Sequence, residues 1–205
     1  NASQPLDTLL QSVRALEPLI RAHVEEAERN RRLSPPVVAA LREAELFRMY
    51  VPKTLGGLEV PPQVLSRVVE EIARIDGATG WCTFIGAVAG LFGGFLPDAV
   101  AEHMFGADPG VIMGGAVFPP GTAKVCDGGY RVSGRWPYAS GCYDCTWIVG
   151  GCFVLDNGER RLVGGLPEMR IVYVPRSQAT IGEDSWQVSG LVGTGSNDFI
   201  LEDVF

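Results

Sequence analysis

The chain has 205 residues, 46% of them apolar and 20% charged, which suits one or two soluble domains with a sizeable buried core. Its net charge of −7 argues against a nucleic-acid or anionic-membrane partner, since both require clustered Lys and Arg. Five cysteines, an odd number in a chain of this size, do not make a disulfide framework.

Leu6, Leu9, Leu10, Val13, Leu16, Ile20 and Val24 recur at helical spacing, with Pro18 placed to bend the helix. The run Arg29, Arg31, Arg32 stands beside Glu25, Glu26 and Glu28 and reads as a solvated helix face. Ser34-Pro35 opens a second helix, with a hydroxyl N-cap and proline at the first helical position, ending near Phe47. Val51-Pro52 and Gly56-Gly57 make an irregular connection, and a third amphipathic helix spans Pro62 to Ile75. No charge occurs between Asp76 and Asp98. That stretch could span a bilayer by length, but its glycines and the lack of basic flanks predict the buried central helix of a helical domain. Trp81 in it is expected in the core, or else at the edge of a substrate cavity. A last helix runs from Pro97 through Phe105, and Ala107–Gly110 is the linker.

Beyond the linker the period changes from helical to alternating. Val111–Phe118, Thr122–Cys126, Tyr130–Trp136, Cys145–Leu155, Arg170–Val174 and Asp198–Phe205 are the expected strands, with Asp156-Asn157-Gly158 as a hairpin turn. The fold class is therefore α+β, with an all-α helical domain over 1–108 and a small β-barrel domain over 109–205. Cys142-x-x-Cys145 suggests zinc or redox chemistry, but the only histidines, His23 and His103, are distant in sequence and the pair flanks a strand. Buried reduced thiols and no metal site are expected. No signal-peptide pattern precedes the first helix, which fits a reducing cytoplasm. Gly193–Asn197 is rich in backbone donors and reads as a turn rather than an anion cradle.

Tyr130–Trp147, YRVSGRWPYASGCYDCTW, is the most informative stretch. An alternating strand breaks at Pro137, offers Ser140-Gly141 between aromatics, and resumes as an apolar strand. On its residues alone it reads as a β-bulge at a barrel corner with Ser140 capping a turn, the plainer reading. It also reads as the wall of a pocket for a flat ligand. The stretch resembles the middle-domain flavin motif of the acyl-CoA dehydrogenase superfamily. It is most similar to the oxygenase components of two-component (group D) flavin-dependent monooxygenases. Gly115–Pro120 and Asp184–Phe205 agree with that branch, and the resemblance covers most of the chain.

The resemblance implies an N-terminal helical domain and a β-barrel middle domain, without the C-terminal four-helix bundle of relatives. It implies reduced flavin, FMN or FAD, from a separate flavin reductase, dioxygen as co-substrate, and hydroxylation of an aromatic or polyketide-like small molecule. Ser140 would be the catalytic polar handle at the N5 position of the flavin ring. Gly115, Ala116, Val117, Tyr138, Ala139 and Ser140 would bind the cofactor. In relatives the bundle supplies a histidine base and builds a homotetramer, so residues 1–205 alone are expected to be inactive. Phe118–Thr122 replaces the Thr-Glu-Pro and Ala-Gly-Ser-Asp run of acyl-CoA dehydrogenases, which favours the monooxygenase branch. Val192 stands where many relatives carry arginine. The alternatives are a flavin-dependent acyl-CoA dehydrogenase and a non-catalytic remnant of the same fold.

Overall fold

A computed structural model describes residues 3–106, 108 and 110–205. Ala107 and Pro109 of the predicted linker lie outside them. The chain divides into two compact units: Asn1–Met113 with Val188–Gly195, and Gly114–Gln187 with Ser196–Phe205.

The first unit is helical: α1 (Ser3–Asn30), α2 (Pro35–Glu43), α3 (Pro62–Ile75), α4 (Gly77–Ala89) and the short α5 (Asp98–Ala101). α1 carries Pro18 internally and ends where Arg31 takes a left-handed conformation, φ 52°. α2 starts at Ser34-Pro35, but the Ser34 hydroxyl makes no capping bond; its carbonyl receives the Val37 and Val38 amides. The helix stops at Glu43, short of the predicted Phe47. Glu45 adopts φ 58°, and the chain continues as a 3₁₀ turn, Leu46–Arg48. α3 occupies the predicted span, with Val64, Leu65, Val68 and Ile72 buried. Asp76 caps α4, accepting from the Thr79 amide at 2.7 Å and the Thr79 hydroxyl at 2.6 Å. The predicted last helix is shorter, because a π-turn over Glu102–Gly106 replaces its second half.

The charge-free stretch is buried on one face only. A Cβ on Gly80 would sit 2.7 Å from the Ala73 Cβ, one on Gly86 2.6 Å from the Phe47 ring, and one on Gly90 2.7 Å from Val51. These small residues let α4 and the 3₁₀ turn after it lie directly on their neighbours. The other face leaves Trp81 42% exposed, so Trp81 is not a core residue. Gly77–Phe95 is long and apolar enough to cross a membrane by length and composition alone, and half of it is buried inside the unit. Val188–Gly195 packs with the helices: the Cys82 thiol lies 3.5 Å from the Thr194 carbonyl, and Gly193 rests against Ala27 and Ala78. Val192–Thr194 is a 3₁₀ turn. A cavity of about 210 Å³ opens beside the start of α4, lined by Glu28, Asp76, Leu191 and Val192 among others.

The second unit is a seven-stranded sheet built from β1 (Met113–Cys126), β2 (Gly129–Trp136), β3 (Trp147–Asp156), β4 (Glu159–Arg160), β7 (Met169–Pro175), β8 (Thr180–Gly182) and β9 (Asp198–Val204). β5 (Leu162–Val163) and β6 (Leu166–Pro167) form a separate small hairpin. Pairing runs β4-β3-β1-β2-β9-β8, and β7 also pairs with β3, off this path. The β3–β4 turn is Asn157-Gly158, both at positive φ as a type I′ hairpin requires. β1 is one strand where two were predicted. β3 begins at Trp147 rather than Cys145, whose amide instead donates to the Gly141 carbonyl.

β3 and β9 are three strand intervals apart along this path, roughly 14 Å in a flat sheet. Yet a Cβ on Gly150 of β3 would lie 3.3 Å from the Phe199 ring of β9. The sheet is therefore rolled, barrel-like, around an apolar centre. Trp136 fills that centre. It is fully buried, stacks on Phe199 at 4.6 Å and 3°, and donates its indole N–H to the Gly151 carbonyl at 2.8 Å. Gly121 and Gly134 leave room for the indole; a Cβ on Gly121 would overlap it. β1 and β3 also approach so closely that a Cβ on Gly115 would overlap the Val149 carbonyl, and one on Gly151 the Val117 carbonyl.

Candidate functional site

The site grows from the end of β2. Trp136, locked in the centre of the sheet, fixes where the chain leaves the strand, and Pro137 breaks the ladder there. Tyr138 then takes φ 62°, a left-handed conformation that is costly for a tyrosine. Short-range bonds hold the turn. The Ser140 amide donates to the Tyr138 carbonyl at 2.9 Å, the Cys142 amide to Ala139 at 3.2 Å, and the Asp144 amide to Gly141 at 3.1 Å. From below, Arg176 donates through Nε to the Cys142 carbonyl at 2.7 Å and through Nη1 to the Ala179 carbonyl at 2.9 Å.

The start of β1 lies against this loop. A Cβ on Gly114 would sit 3.1 Å from the Cys145 Cβ and 3.2 Å from the Ser140 and Gly141 carbonyl oxygens. The fold thus brings the two predicted groups, Gly115–Val117 and Tyr138–Ser140, to one place. Gly115, Ala116 and Val117 are half-buried although β1 is an interior strand, and Phe118 beside them is 65% exposed. Tyr138 is 70% exposed and meets Trp186 edge-on, with ring centres 6.2 Å apart at 85°. Ala139 is fully buried, its amide bonded to the Asn197 carbonyl at 3.1 Å and its carbonyl to Cys142. Its backbone helps to hold the turn.

Ser140 is buried, and its hydroxyl lies 2.7 Å from the hydroxyl of Ser196, which is buried too. Asn197 ties the turn to a further loop: its Oδ1 accepts from the Trp186 amide at 3.2 Å. Ser196, Asn197 and Trp186 were read only as part of the Asp184–Phe205 stretch, with no role at the site, and Arg176 was not singled out, since nothing local ties them to Ser140. Within that stretch the turn at Gly193–Asn197 delivers Ser196.

Cys142, Cys145 and Cys152 are buried thiols outside any disulfide, and burial pushes each up to about 12. Such thiols are poor nucleophiles and poor metal ligands. Among the described residues no group of three His, Cys, Asp or Glu side chains is placed to hold a metal ion.

The arrangement fits a flat, largely apolar ring with one hydrogen-bonding edge. β1 offers a half-open apolar strand face, Ser140 and Ser196 offer hydroxyls, and Gly141 leaves open space where a side chain would stand. A flavin ring has this character.

Comparison with known proteins follows the same line. Residues 6–96 match the family described as acyl-CoA dehydrogenase, N-terminal domain. The chain is 36% identical over 184 residues to indole-3-acetate monooxygenase of Pseudomonas putida, covering 90% of this chain and 45% of that protein. It is 34% identical over 197 residues to the flavin-dependent monooxygenase oxygenase subunit HsaA of Rhodococcus jostii, covering 96% and 50%. The solved structure of XiaF from Streptomyces sp., in complex with FADH2 and glycerol, superimposes with a TM-score of 0.91 at 28% identity, covering 100% of this chain and 50% of that one. The chain spans about half the length of the curated relatives it matches. The matched family covers residues 6–96, and the homologues of the chain are oxygenase subunits of flavin-dependent monooxygenases.

Proposed function

We propose that the chain is the N-terminal and middle part of the oxygenase component of a two-component flavin-dependent monooxygenase. It would use reduced FMN or FAD from a separate reductase, with dioxygen, to hydroxylate an aromatic or polyketide-like small molecule. The observation that carries this reading is the buried Ser140 hydroxyl, held by Ser196 beside the half-open face of β1. Relatives named for oxygenation of small molecules, indole-3-acetate among them, support it and favour it over acyl-CoA oxidation. The same reading makes the assembled protein a cytoplasmic homotetramer.

Bound reduced flavin supplies the electrons that activate dioxygen and the means of passing oxygen to the substrate. The protein seats, orients and dries the site. Gly115–Val117 present a side-chain-poor strand face on which a ring lies flat. Ser140 offers a hydrogen bond at the N5 edge and so sets the in-plane orientation. Tyr138 and Trp186 form an aromatic rim that keeps water from the reacting face.

The test is flavin binding by the full-length protein. It should be isolated nearly colourless and bind reduced flavin far more tightly than oxidised flavin. A yellow protein with stoichiometric FAD that acyl-CoA reduces would overturn the reading in favour of a dehydrogenase.

A further inference from the structure

We propose that Arg176 gives the candidate site a fixed positive charge, through which it binds the anionic reduced flavin in preference to the neutral oxidised ring. This role rests on the functional reading above and accounts for the redox preference that reading requires.

Arg176 follows Pro175, where β7 ends opposite Trp147 at the start of β3, and its amide donates to the Thr146 carbonyl at 3.0 Å. A 3₁₀ turn over Arg176–Gln178 folds the chain back at that point. The side chain runs under the Tyr138–Cys145 loop, where Nε reaches the Cys142 carbonyl at 2.7 Å and Nη1 the Ala179 carbonyl at 2.9 Å. Both acceptors are neutral, so these bonds fix the guanidinium and leave its charge in place. The other arginines of the second unit are held differently. Arg131, Arg135, Arg161 and Arg170 each meet a carboxylate, and Arg160 lies over the Phe153 ring. Among the described residues no carboxylate stands within 4.0 Å of the Arg176 guanidinium nitrogens.

That charge is felt in the loop. Burial is the main influence on the Cys142 and Cys145 thiols, and Cys142 also raises Cys145. Beyond these, Arg176 draws both thiols down more strongly than the Asp144 carboxylate lifts them. From these two charges the loop therefore sees a net positive field. Cys142 stands two residues from Ser140, so chain reach alone keeps the guanidinium within roughly 10 Å of that serine. Arg176 is half-buried, and solvent screens it only in part. A unit charge at such a range, between protein and water in its surroundings, changes the binding of an anion by about fivefold. Reduced flavin is an anion at mildly alkaline pH, having lost its N1 proton, whereas the oxidised ring is neutral and gains nothing from the charge. A purely structural clamp would hold the loop equally well for both.

The experiment measures, at mildly alkaline pH, the dissociation constants of reduced and oxidised flavin for the full-length protein and for Arg176→Gln, Arg176→Lys and Asp144→Asn. Arg176→Gln should shrink the preference for reduced flavin by about fivefold, read also as a fall of about 20 mV in the midpoint potential of the bound flavin. Arg176→Lys loses the two-carbonyl grip but keeps the charge. It should hold the preference within about twofold of the parent while both affinities fall together. Asp144→Asn leaves every Arg176 bond in place and removes the opposing charge, so the preference should rise by about twofold. If Arg176→Gln keeps the parent's preference, or Arg176→Lys loses it as fully as Arg176→Gln, Arg176 is only a clamp. The proposal is then refuted while the functional reading stands. Should the Arg176 variants fail to fold, Asp144→Asn decides alone, and an unchanged or smaller preference refutes the role of the charge. A parent with no preference for reduced flavin refutes both.

Discussion

Replacing Trp136 with phenylalanine tests the account of the β-unit most directly. The indole is fully buried, so all that changes is internal. Phenylalanine keeps a ring to stack on Phe199 but loses the N–H that reaches the Gly151 carbonyl at 2.8 Å. Removing that buried hydrogen bond costs about 1–2 kcal/mol. Shrinking the ring system leaves a void of roughly 40 Å³ between Gly121, Gly134 and Gly150, worth about 1 kcal/mol. Those glycines have no side chains to swing into the space, so relaxation recovers little. The sum is about 2–3 kcal/mol, a large part of the stability of a domain this size. Urea unfolding followed by near-ultraviolet circular dichroism reads the loss in the aromatic centre of the sheet. Flavin affinity should fall with it, because Trp136 sets the exit of the Tyr138–Ser140 turn. A loss below about 1 kcal/mol would show that the glycine cage closes around the smaller ring, and the argument that Trp136 holds the sheet rolled would be wrong.

Gly115→Ala should prevent the β-unit from folding, because the new methyl meets the Val149 carbonyl at φ 134°; native-like near-ultraviolet dichroism of the variant would contradict the close β1–β3 crossing. Alkaline pH should unfold the protein. Cys142, Cys145 and Cys152 titrate near 12 when folded against 9 when unfolded, so their contribution is complete below pH 9 and is lost as pH rises towards 12. The loss is about 1.4 kcal/mol per pH unit for each thiol, and Cys152→Ala should lower the slope measured by urea titration between pH 9 and 11 by one thiol's share. Val192→Arg should fill part of the cavity beside α4 and place a cation near Glu28 and Asp76, raising stability by about 0.5–1 kcal/mol; a lower melting temperature would show that the carboxylates are already satisfied.

The sequence revealed most where one local rule decided the outcome. Pro62–Ile75 was legible because its apolar residues keep strict helical spacing between a proline start and Asp76. Asn157-Gly158 was legible because few residue pairs tolerate positive φ twice in succession. Errors fell where distant contacts overrule such rules. Pro119-Pro120-Gly121 was expected to interrupt a strand, yet β1 passes straight through, since Gly121 is where the Trp136 ring lies against it. Of the two places expected for Trp81, the core and the edge of a cavity, the core is ruled out, because Gly80, Gly86 and Gly90 make the packed face and leave it 42% exposed.

The candidate site divides along the same line. Gly115–Val117 and Tyr138–Ser140 were named from a motif, and the rolled sheet sets them side by side. No motif could supply Ser196, because its partnership with Ser140 spans 56 residues and exists only once β9 pairs with β2. That dependence has a physical consequence. A hydroxyl pair fixed by strand register stays aligned as long as the two strands stay paired, whatever the surface loops do. The bulge between Val132 and Gly134 shifts the β2–β9 register before the Trp136–Phe199 pair is reached. It therefore sets which residue of the Gly195–Asn197 approach stands opposite Ser140. A one-residue slip would turn Ser196 to the opposite side of the strand and leave Ser140 facing a different neighbour. The placement of the Ser140 hydroxyl is thus decided in the sheet, several residues away from it, and the glycine cage around Trp136 helps to set it.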